Sequence, residues 1–471
     1  MSRGDERAGI SKLLLTMNIL GAGGVETQAL MAALLLDARF DRIDAGNPGS
    51  GGKHFAFSSR AQSGKGPGNQ RGNSRVTADN GHEGRGRPSG GESRMKHGRS
   101  LVIDPWARVA SGLIITLLAS ACAAQSGAQV PQEGLARLRE IYARDFRIGV
   151  AFSHGLLDSG DAAALDLAAT QFNAFTPENE MKWASVHPRE AVYNYGPADA
   201  LVAFAEQHHM VVTGHTLVWH EQTPDWVFQD ADGKPATRET VLLRLREHIR
   251  AVMGHYRGRV HGWDVVNEAI STKKDEWLRD SPWLRVLGED YVEQAFRLAR
   301  EADPNAELYY NDYNLEEPVK REKAVGLIKR LQARGVQVDG IGLQGHFTLK
   351  SVDAAEMAKT IETFSAMGLR VNISELDMRL HAYGDNADRY PDGAPPELLA
   401  EQADKFAALF KVFLAHRDVI DRVTFWGVHD GLSWTNYMPV KDRPDYALLF
   451  DRGGKPKPAF YAVAKQRPGV R

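Results

Sequence analysis

Two apolar runs of the sequence end in carboxylate and amide side chains. The run WDVVNEAI at 263–270 contains Asn267 and Glu268, and the run VNISELDM at 371–378 contains Glu375 and Asp377. A carboxylic acid can donate a proton to a departing group, and a carboxylate can attack carbon or activate water. A single glutamate of this kind is more often a salt-bridge partner or a helix cap. Two in matching positions, among amides, histidines and tryptophans, predict a paired acid–base site.

The elements that would position these carboxyls alternate in kind along the chain. Segments with helical period, such as 240–256, 290–302 and 321–335, lie between short apolar runs. This alternation predicts βα units and a parallel sheet. Eight such units over about 340 residues predict an α/β fold, namely a (β/α)8 TIM barrel with enlarged loops. The apolar runs lie at 147–153, 172–179, 210–219, 260–268, 307–314, 338–347, 369–377 and 423–431.

A barrel would explain why the carboxyls stand at strand ends. Active sites of such barrels form at the carboxyl ends of the strands, so Glu268 at the end of the fourth strand and Glu375 at the end of the seventh would face one pocket mouth. A doubly wound open sheet is the alternative architecture. Such a sheet normally has a Gly-rich phosphate turn after its first strand, and GVAFSHG at 149–155 is not one.

The chain divides into four segments by composition. Residues 1–94 include a glycine-rich stretch with few aliphatic residues, which cannot offset the entropy of ordering, so we expect a disordered extension or one upstream of the true start. Residues 95–122 have the character of a signal segment, and residues 123–134 that of a linker. Residues 135–468 are predicted to form a single catalytic domain.

Charge is spread unevenly over these segments. The whole chain has a net charge of −2, but residues 1–94 carry +4 and residues 95–122 carry +2, which leaves −8 for the remainder. An acidic main domain lacks the basic surface expected of a nucleic-acid binder, so that class of partner is disfavoured.

Residues 95–122 resemble an export signal. Basic residues precede the apolar stretch VASGLIITLLASAC at 109–122, which is too short to span a bilayer comfortably. Met95 would then be the true start in place of Met1. The end of the stretch is similar to a bacterial lipobox, with Cys122, the only cysteine, as the lipidation candidate. Simple cleavage near residues 121–124 and a buried N-terminal helix are the alternatives. We expect export from a bacterial cell, with a periplasmic, extracellular or outer-membrane lipid-anchored destination.

Two carboxylic acids that flank a pocket are the minimum for glycoside hydrolysis. The region from about 135 to 468 resembles the family 10 glycoside hydrolases, best known as endo-1,4-β-xylanases. The resemblance is carried, in the family's order, by TPENEMKW, GHTLVWH, WDVVNEA, NDYN, GLQGHF, SELDM and TFWGVHDGLSW. It implies endo-hydrolysis of β-1,4-xylosidic linkages in xylan by a retaining double displacement, with no cofactor.

The resemblance assigns the acid/base role to Glu268 and the nucleophile role to Glu375. The carboxyl groups of a retaining pair lie roughly 5–5.5 Å apart, a separation that two strand ends of one barrel could supply. We expect the charge of Glu375 to raise the pKa of Glu268 and keep it protonated. Once Glu375 is esterified by the sugar, that charge is gone and Glu268 can act as a base.

Supporting residues are also implied by the resemblance. Asn267 would donate to the sugar 2-hydroxyl, and His346 and Asp377 would orient Glu375. Trp434 would exclude a C6 hydroxymethyl group and so favour xylose over glucose. The remaining candidates are Glu178, Asn179 and Lys182 as binders of ring hydroxyls, His215 and Trp219 as the wall of the same subsite, Gln344 in the polar shell of the nucleophile, Trp426 at the reactive sugar and Tyr313 on the leaving-group side.

Some of these features have other interpretations. Trp219 and Trp426 could instead be core aromatics. His215 and His220 are five residues apart, but no HxH or HExxH spacing accompanies them, so we predict no metal. The run TKKDEWLRD at 272–280 is predicted to be a solvated loop or helix face. Leu432 stands where many relatives carry a polar residue, which would alter distal sugar contacts.

Two other functions are open from the sequence alone. The same fold and mechanism could act on another β-1,4-glucan or on an aryl glycoside. A non-catalytic sugar-binding barrel would be expected to have lost one of the two glutamates, and both are present. As partners we expect xylan and xylo-oligosaccharides, no nucleic acid, and a membrane only through a lipid anchor on Cys122. We expect the protein to be a monomer.

Overall fold

A computed structural model describes residues 135–467, which form a closed parallel barrel surrounded by helices. Eight strands form the ring, because β1 pairs with both β2 and β9, and β6 pairs with β8. The prediction of an α/β fold with a (β/α)8 barrel is confirmed. The strands are β1 (Arg147–Phe152), β2 (Ala174–Pro177), β3 (Val211–Val218), β4 (Gly262–Asn267), β5 (Glu307–Asp312), β6 (Gly340–Leu343), β7 (His346–Thr348), β8 (Arg370–Arg379) and β9 (Ile420–Phe425).

The helices follow the strands around the ring, and the three segments with helical period are confirmed as α6, α8 and α9. The helices are α1 (Leu138–Ile141), α2 (Gly155–Ser159), α3 (Ala162–Gln171), α4 (Trp183–Val186), α5 (Gly196–Gln207), α6 (Arg238–His255), α7 (Pro282–Leu287), α8 (Tyr291–Ala302), α9 (Pro318–Ala333), α10 (Ala354–Ser365), α11 (Pro396–Ala415) and α12 (Pro458–Lys465).

The predicted extension, signal segment, linker and lipidation candidate Cys122 lie outside residues 135–467. Within that range no helix is both long and apolar enough to cross a bilayer.

Strand β4 shows how the sequence pattern packs. Trp263 is buried and its ring lies over Gly214 of β3, where any side chain would collide with it, and near the ring of Tyr256 at the end of α6. Asp264, which points to the opposite face of the strand, pairs with His215 of β3. Apolar residues of one strand therefore pack outward on the helices, and polar residues meet inside the barrel.

Helix α8 shows the complementary pattern. Its buried residues include Val292, Phe296 and Ala299, which recur at helical spacing and pack toward β4 and β5. Full burial of a side chain such as Phe296 contributes about 1.5–3 kcal/mol. The carboxyl end of β4 is therefore held by a well-packed layer behind it.

The run at 338–347 is not one strand, as predicted, but two. It breaks after Leu343, and Gly345 has a φ of +76°, a conformation that favours glycine. The short β7 that follows pairs only with β8, where His346 is opposite Asp377. The break therefore turns His346 out of the ring and toward β8, the strand that contains Glu375.

The last run, predicted at 423–431, is also displaced. The strand is Ile420–Phe425, and the residues that follow it form a loop and the short 3-10 helices Asp430–Leu432 and Trp434–Asn436. Gly427 has a φ of +138°, which ends the extended backbone. Trp426 therefore stands on the loop after the strand, and Trp434 begins the second of these short helices.

Candidate active site

Glu268 follows β4 directly, and its carboxyl accepts hydrogen bonds only from neutral groups. The indole Nε1 of Trp219 donates to its Oε2 at 3.0 Å, and the amide Nε2 of Gln344 donates to its Oε1 at 3.1 Å. Burial raises the pKa of Glu268, the nearby charge of Asp312 raises it further, and the charge of Glu375 adds to both. The predicted direction is thus present, but burial and Asp312 contribute more than Glu375 does.

Glu375, in β8, is surrounded by a cation and an amide. Asn311 donates from Nδ2 to Oε1 at 2.7 Å, and His346 Nε2 lies 3.1 Å from Oε2. Burial alone would raise the pKa of Glu375, but the hydrogen bond from His346 and the charges of His215 and His346 outweigh it and hold the pKa below its ordinary value. In the pH range between the two pKa values, Glu375 is therefore ionised while Glu268 is still protonated.

His346 connects Glu375 to Asp377. Its Nδ1 lies 2.8 Å from Oδ2 of Asp377, on the other side of the ring from Glu375. Burial alone would lower the pKa of His346, but the charge and hydrogen bond of Asp377, together with those of Glu375, raise it to about 10. At neutral pH both ring nitrogens therefore carry protons and donate to the two carboxylates.

Three amides link the two glutamates. Gln344 Nε2 donates to Oδ1 of Asn267 at 3.2 Å as well as to Glu268, and Asn311 Nδ2 donates to the same Oδ1 at 2.9 Å as well as to Glu375. The side-chain oxygen of Asn267 is thus held by two donors. A continuous set of hydrogen bonds runs from one carboxyl to the other.

The position of Gln344 differs from the expectation. Its side chain contacts Glu268 and not Glu375, to which it is joined only by the backbone, where the N–H of Glu375 donates to its carbonyl at 2.8 Å. The side chain extends instead from the end of β6 toward Asn267 and Glu268 at the end of β4.

The predicted sugar-binding group at the end of β2 is assembled as a cluster. Lys182 donates from Nζ to Oδ1 of Asn179 at 2.9 Å, and Asn179 donates from Nδ2 to Ser153 at 2.9 Å. Ser153 in turn donates to Glu178 at 3.0 Å. Burial raises the pKa of Glu178, and the charge of Lys182 opposes that rise. Lys182 is buried and the other three residues are half-buried, which suits the cluster to bind hydroxyls in place of water.

Lys182 joins this cluster to the two central carboxyls. Its Nζ lies 5.0 Å from the ring centroid of Trp219, whose indole donates to Glu268. Burial lowers the pKa of Lys182, and the charges of Glu178, Glu375 and Glu268 oppose that effect. The cluster and both glutamates therefore share one pocket.

Trp426 lies between two histidines of the site. Its ring centroid is 5.2 Å from that of His215 and 6.4 Å from that of His346, with edge-to-face geometry in both cases. His215 is fixed from behind by Asp264 at 2.9 Å. Trp426 is buried, as a core aromatic would be, but the residues it contacts belong to the site.

Trp434 covers the other side of His346 and Asp377, which lie beside Glu375. Its Nε1 donates to Oδ2 of Asp377 at 2.7 Å, and its ring lies 5.0 Å from that of His346. The guanidinium of Arg379 lies 4.9 Å from the Trp434 ring centroid. Leu432 is exposed on the same loop. Trp434 is thus fixed by the same residues that orient Glu375.

Residues 137–466, which are most of the chain, match the sequence model of a known protein family. That family is described as "Glycosyl hydrolase family 10". The chain belongs to glycosyl hydrolase family 10.

Individual relatives agree with this assignment. A beta-1,4-xylanase of Dictyoglomus thermophilum is 43% identical over 328 residues, which cover 70% of this chain and 90% of that protein. The crystal structure of xylanase XynB from Paenibacillus barcinonensis with a conduramine derivative is 40% identical, with a TM-score of 0.68 over 71% of this chain and 99% of that one. A mutant structure in complex with xylotriose is also 40% identical, with a TM-score of 0.67 over 70% of this chain and 99% of that one.

Tyr313 of the family 10 domain lies on the Glu268 side of the pocket. Its hydroxyl accepts from Nη2 of Arg279 at 2.6 Å, and Nζ of Lys320 lies 3.5 Å from its ring centroid. Lys320 forms a buried ion pair of 2.6 Å with Asp312. The ring of Tyr313 is therefore held by two cations.

The sequence reasoning missed several residues of this family 10 site. Asn311 holds Glu375 and Asn267, and its side chain fits only because position 342 is glycine, where any Cβ would collide with it. Asn311 and Asp312 end β5, within the quoted NDYN run, so the strand-end rule that singled out Glu268 could also have found them. Ser153, Asp264 and Arg279 had no comparable signal.

The run TKKDEWLRD differs in part from its prediction as a solvated surface. Residues 272–275 are exposed, but Leu278 is buried and Arg279 is half-buried because the chain folds back toward the barrel after residue 276. Within residues 135–467 no group of three or more His, Cys, Asp or Glu side chains is arranged to hold a metal ion.

Proposed function

We propose that this family 10 protein is a retaining endo-1,4-β-xylanase in which Glu268 is the acid/base and Glu375 is the nucleophile. The observation that carries the proposal is the opposite direction of the two pKa shifts, raised at Glu268 and lowered at Glu375. Titratable groups whose surroundings separate their pKa values in this way mark acid and base roles.

In the first step a carboxylate oxygen of Glu375 attacks the anomeric carbon, and the bond from that carbon to the glycosidic oxygen breaks. Glu268 gives its proton to the departing oxygen, so the leaving sugar is released as an alcohol. His346 and Asn311 hold the Glu375 carboxylate during the attack. The product is a glycosyl ester of Glu375.

In the second step water hydrolyses that ester. Esterification removes the charge of Glu375, one of the causes that raise the pKa of Glu268, so Glu268 becomes more acidic. It then accepts the proton of the attacking water, and Glu375 is released as a carboxylate. Burial and Asp312 persist through both steps, so the fall in the pKa of Glu268 is partial.

The substrate class is supported by the relatives and by the pocket. Proteins at about 40% identity are xylanases, and one related structure contains xylotriose. Asn267 is oriented to donate to a sugar 2-hydroxyl, because its side-chain oxygen is held by Gln344 and Asn311. Trp434, fixed by Asp377, is suited to exclude a C6 hydroxymethyl group.

We also propose that the protein is exported and monomeric. The basic residues and short apolar stretch before Cys122 support export. Processing in cells that is blocked by an inhibitor of lipoprotein signal peptidase, and by Cys122→Ser, would indicate lipidation. Processing that is insensitive to both would indicate simple cleavage.

The test of the proposed function is cleavage of purified xylohexaose, followed by proton NMR of the new reducing ends. Early β-anomer from internal cleavage, lost in Glu268→Gln and Glu375→Gln, is the expected result. Early α-anomer would exclude the retaining assignment. Turnover of gluco-oligosaccharides without cleavage of xylohexaose would assign another β-1,4-glucan as the substrate.

A further inference from the structure

The segment after Glu268 folds back on itself and returns to the acid. Ile270 and Leu278 form an antiparallel bridge, and the N–H of Ser271 donates to the carbonyl of Trp277 at 3.1 Å. The N–H of Arg279 then donates to the carbonyl of Ala269 at 2.7 Å. Eleven positions along the chain from Glu268, Arg279 is thus again beside it.

The guanidinium of Arg279 makes two directed contacts at this point. Its Nε donates to the backbone carbonyl of Glu268 at 3.0 Å, and its Nη2 donates to the hydroxyl of Tyr313 at 2.6 Å. The planar fork of arginine can hold two acceptors in a fixed relation, which the single ammonium of lysine cannot do as well. One side chain therefore joins the backbone of Glu268 to the ring of Tyr313.

The backbone of Glu268 needs such support. Its φ is +58°, in the left-handed region that a residue with a side chain seldom adopts. Two hydrogen bonds hold the peptide groups on either side, because the N–H donates to the carbonyl of Asn311 at 2.9 Å and the carbonyl accepts from Arg279. This conformation fixes the direction in which the side chain leaves the backbone, toward Trp219 and Gln344.

We infer that Arg279 is a positioning residue for proton donation by Glu268. It holds the backbone conformation that sets the direction of the carboxyl. Through its hydrogen bond to Tyr313 it also fixes Glu268 relative to the leaving-group side of the pocket. The inference rests on the proposed function, in which Glu268 is the acid. Arg279 touches the backbone of Glu268 and not its carboxyl, so its effect should depend on how much acid assistance the substrate needs.

The test compares two substrates whose leaving groups differ in that need. Xylohexaose releases a sugar alcohol, whereas 2,4-dinitrophenyl β-xylobioside releases a phenolate that needs no proton. Because kcat/KM of a double displacement reports the steps up to the first bond cleavage, it isolates acid assistance. For Arg279→Met we expect kcat/KM on xylohexaose to fall about 30- to 100-fold, and that on the aryl substrate to fall less than about threefold.

Arg279→Lys separates geometry from charge. Lysine keeps the cation but not the fork, so we expect a smaller loss on xylohexaose, about tenfold, and an unchanged alkaline limb of the kcat/KM profile. The matched control is Arg285→Met, since Arg285 of the nearby helix α7 is exposed and pairs with Asp280 at the surface. Both substrates should be unaffected by that change.

The inference is overturned if the Arg279 variants lose the same factor on both substrates, as a general loss of fold would cause, or lose nothing on either. It is also overturned if the lysine variant keeps full activity, because charge alone would then suffice. Glu268→Gln tests separately the proposed acid role of Glu268, on which the inference rests. If that variant does not distinguish the two substrates, the proposed acid role fails, whatever Arg279 does.

Discussion

Glu268, just after β4, and Glu375, within β8, are the same side chain in surroundings of opposite character. Glu268 meets an indole and an amide, with the buried carboxylate of Asp312 nearby. Glu375 meets an amide and the charged imidazole of His346. Burial acts on both glutamates in the same direction, and by itself it would raise both pKa values. The charge of the neighbouring groups therefore separates them, and the two glutamates can perform different chemistry in one pocket.

The division depends on partners and not on the strands themselves. Each glutamate comes from the carboxyl-end region of a parallel strand, and each is reached by an amide from another strand. What differs is the charged neighbour, which is the carboxylate of Asp312 near Glu268 and the imidazolium of His346 against Glu375. Substitutions that remove either charged neighbour should make the two environments more alike, whereas loss of a glutamate abolishes its role.

The largest effect is expected from Glu375→Gln. The amide keeps the shape but cannot form the ester, so kcat/KM on both xylohexaose and an aryl xylobioside should fall by about four orders of magnitude or more. Steady-state hydrolysis of both substrates measures this. Circular dichroism should show an unchanged fold. Retention of more than about 1% activity on either substrate would contradict the nucleophile assignment.

Glu268→Gln should have the next largest effect, and an uneven one. General acid catalysis contributes roughly a hundred- to ten-thousand-fold, so kcat/KM on xylohexaose should fall within that range. The kcat/KM on the dinitrophenyl substrate should change little, while its kcat falls because the second step needs the base. Added azide, which needs no base to attack the ester, should restore kcat. A uniform loss on both substrates, insensitive to azide, would argue against the acid/base role.

His346→Asn should weaken the nucleophile without removing it. Loss of a charged hydrogen bond costs about 1.5–3 kcal/mol, which is roughly a ten- to hundred-fold loss in rate. The pKa of Glu375 is lowered mainly through His346, so without the cation that pKa rises. Because activity requires the carboxylate, the acid limb of the kcat/KM profile should move to higher pH. An unmoved acid limb would mean that another group controls it.

Asp312→Asn should have the smallest effect on activity. It should change the alkaline limb of the kcat/KM profile and not the acid limb. The charge of Asp312 raises the pKa of Glu268, so its removal lowers that pKa. Glu268 must be protonated to act as the acid, and the alkaline limb should therefore move to lower pH. At the optimum the rate should change by about threefold or less, because proton donation itself is intact.

Stability needs a separate control in that experiment. Asp312 is buried in an ion pair with Lys320, and removal of one partner of such a pair costs about 3–5 kcal/mol. The double variant Asp312→Asn with Lys320→Met removes the unpaired cation. A shift of the alkaline limb in the double variant, with thermal unfolding near that of the parent, would assign the shift to charge. Absence of the shift in both variants would exclude Asp312 as a cause.

The fold and the central residues followed from sequence because both depend on local pattern. Apolar runs alternate with helical segments, and a parallel barrel brings strand ends to one face wherever they occur in the chain. That Glu268 and Glu375 share one pocket was therefore predictable from the sequence pattern, whereas their catalytic roles stay a prediction. The break at Gly345 was not, because a single glycine within an apolar run does not reveal whether the strand continues.

Contacts across the barrel were less accessible to sequence reasoning. Asn311 reaches Glu375 only because Gly342 leaves space for it on the neighbouring strand, a relation between two positions that no local pattern carries. Arg279 returns to Glu268 through a fold-back of the intervening segment, although its run of charges is typical of a solvated surface. The relative contributions of Asp312 and Glu375 to the pKa of Glu268 also depended on how the folded chain places and buries these groups.

The pairing of β1 with β9 makes the order of elements in the barrel a circle. Near its start, Tyr142 donates to the carbonyl of Val463 at 2.7 Å, and Asp145 pairs with Arg467 at 3.0 Å. The two ends of the described region thus meet at the amino ends of the strands, opposite the two glutamates. A short linker could join residue 467 to residue 135, and new termini could be opened at another connection on that face. A circular permutant of this kind would keep every strand end of the active site in place.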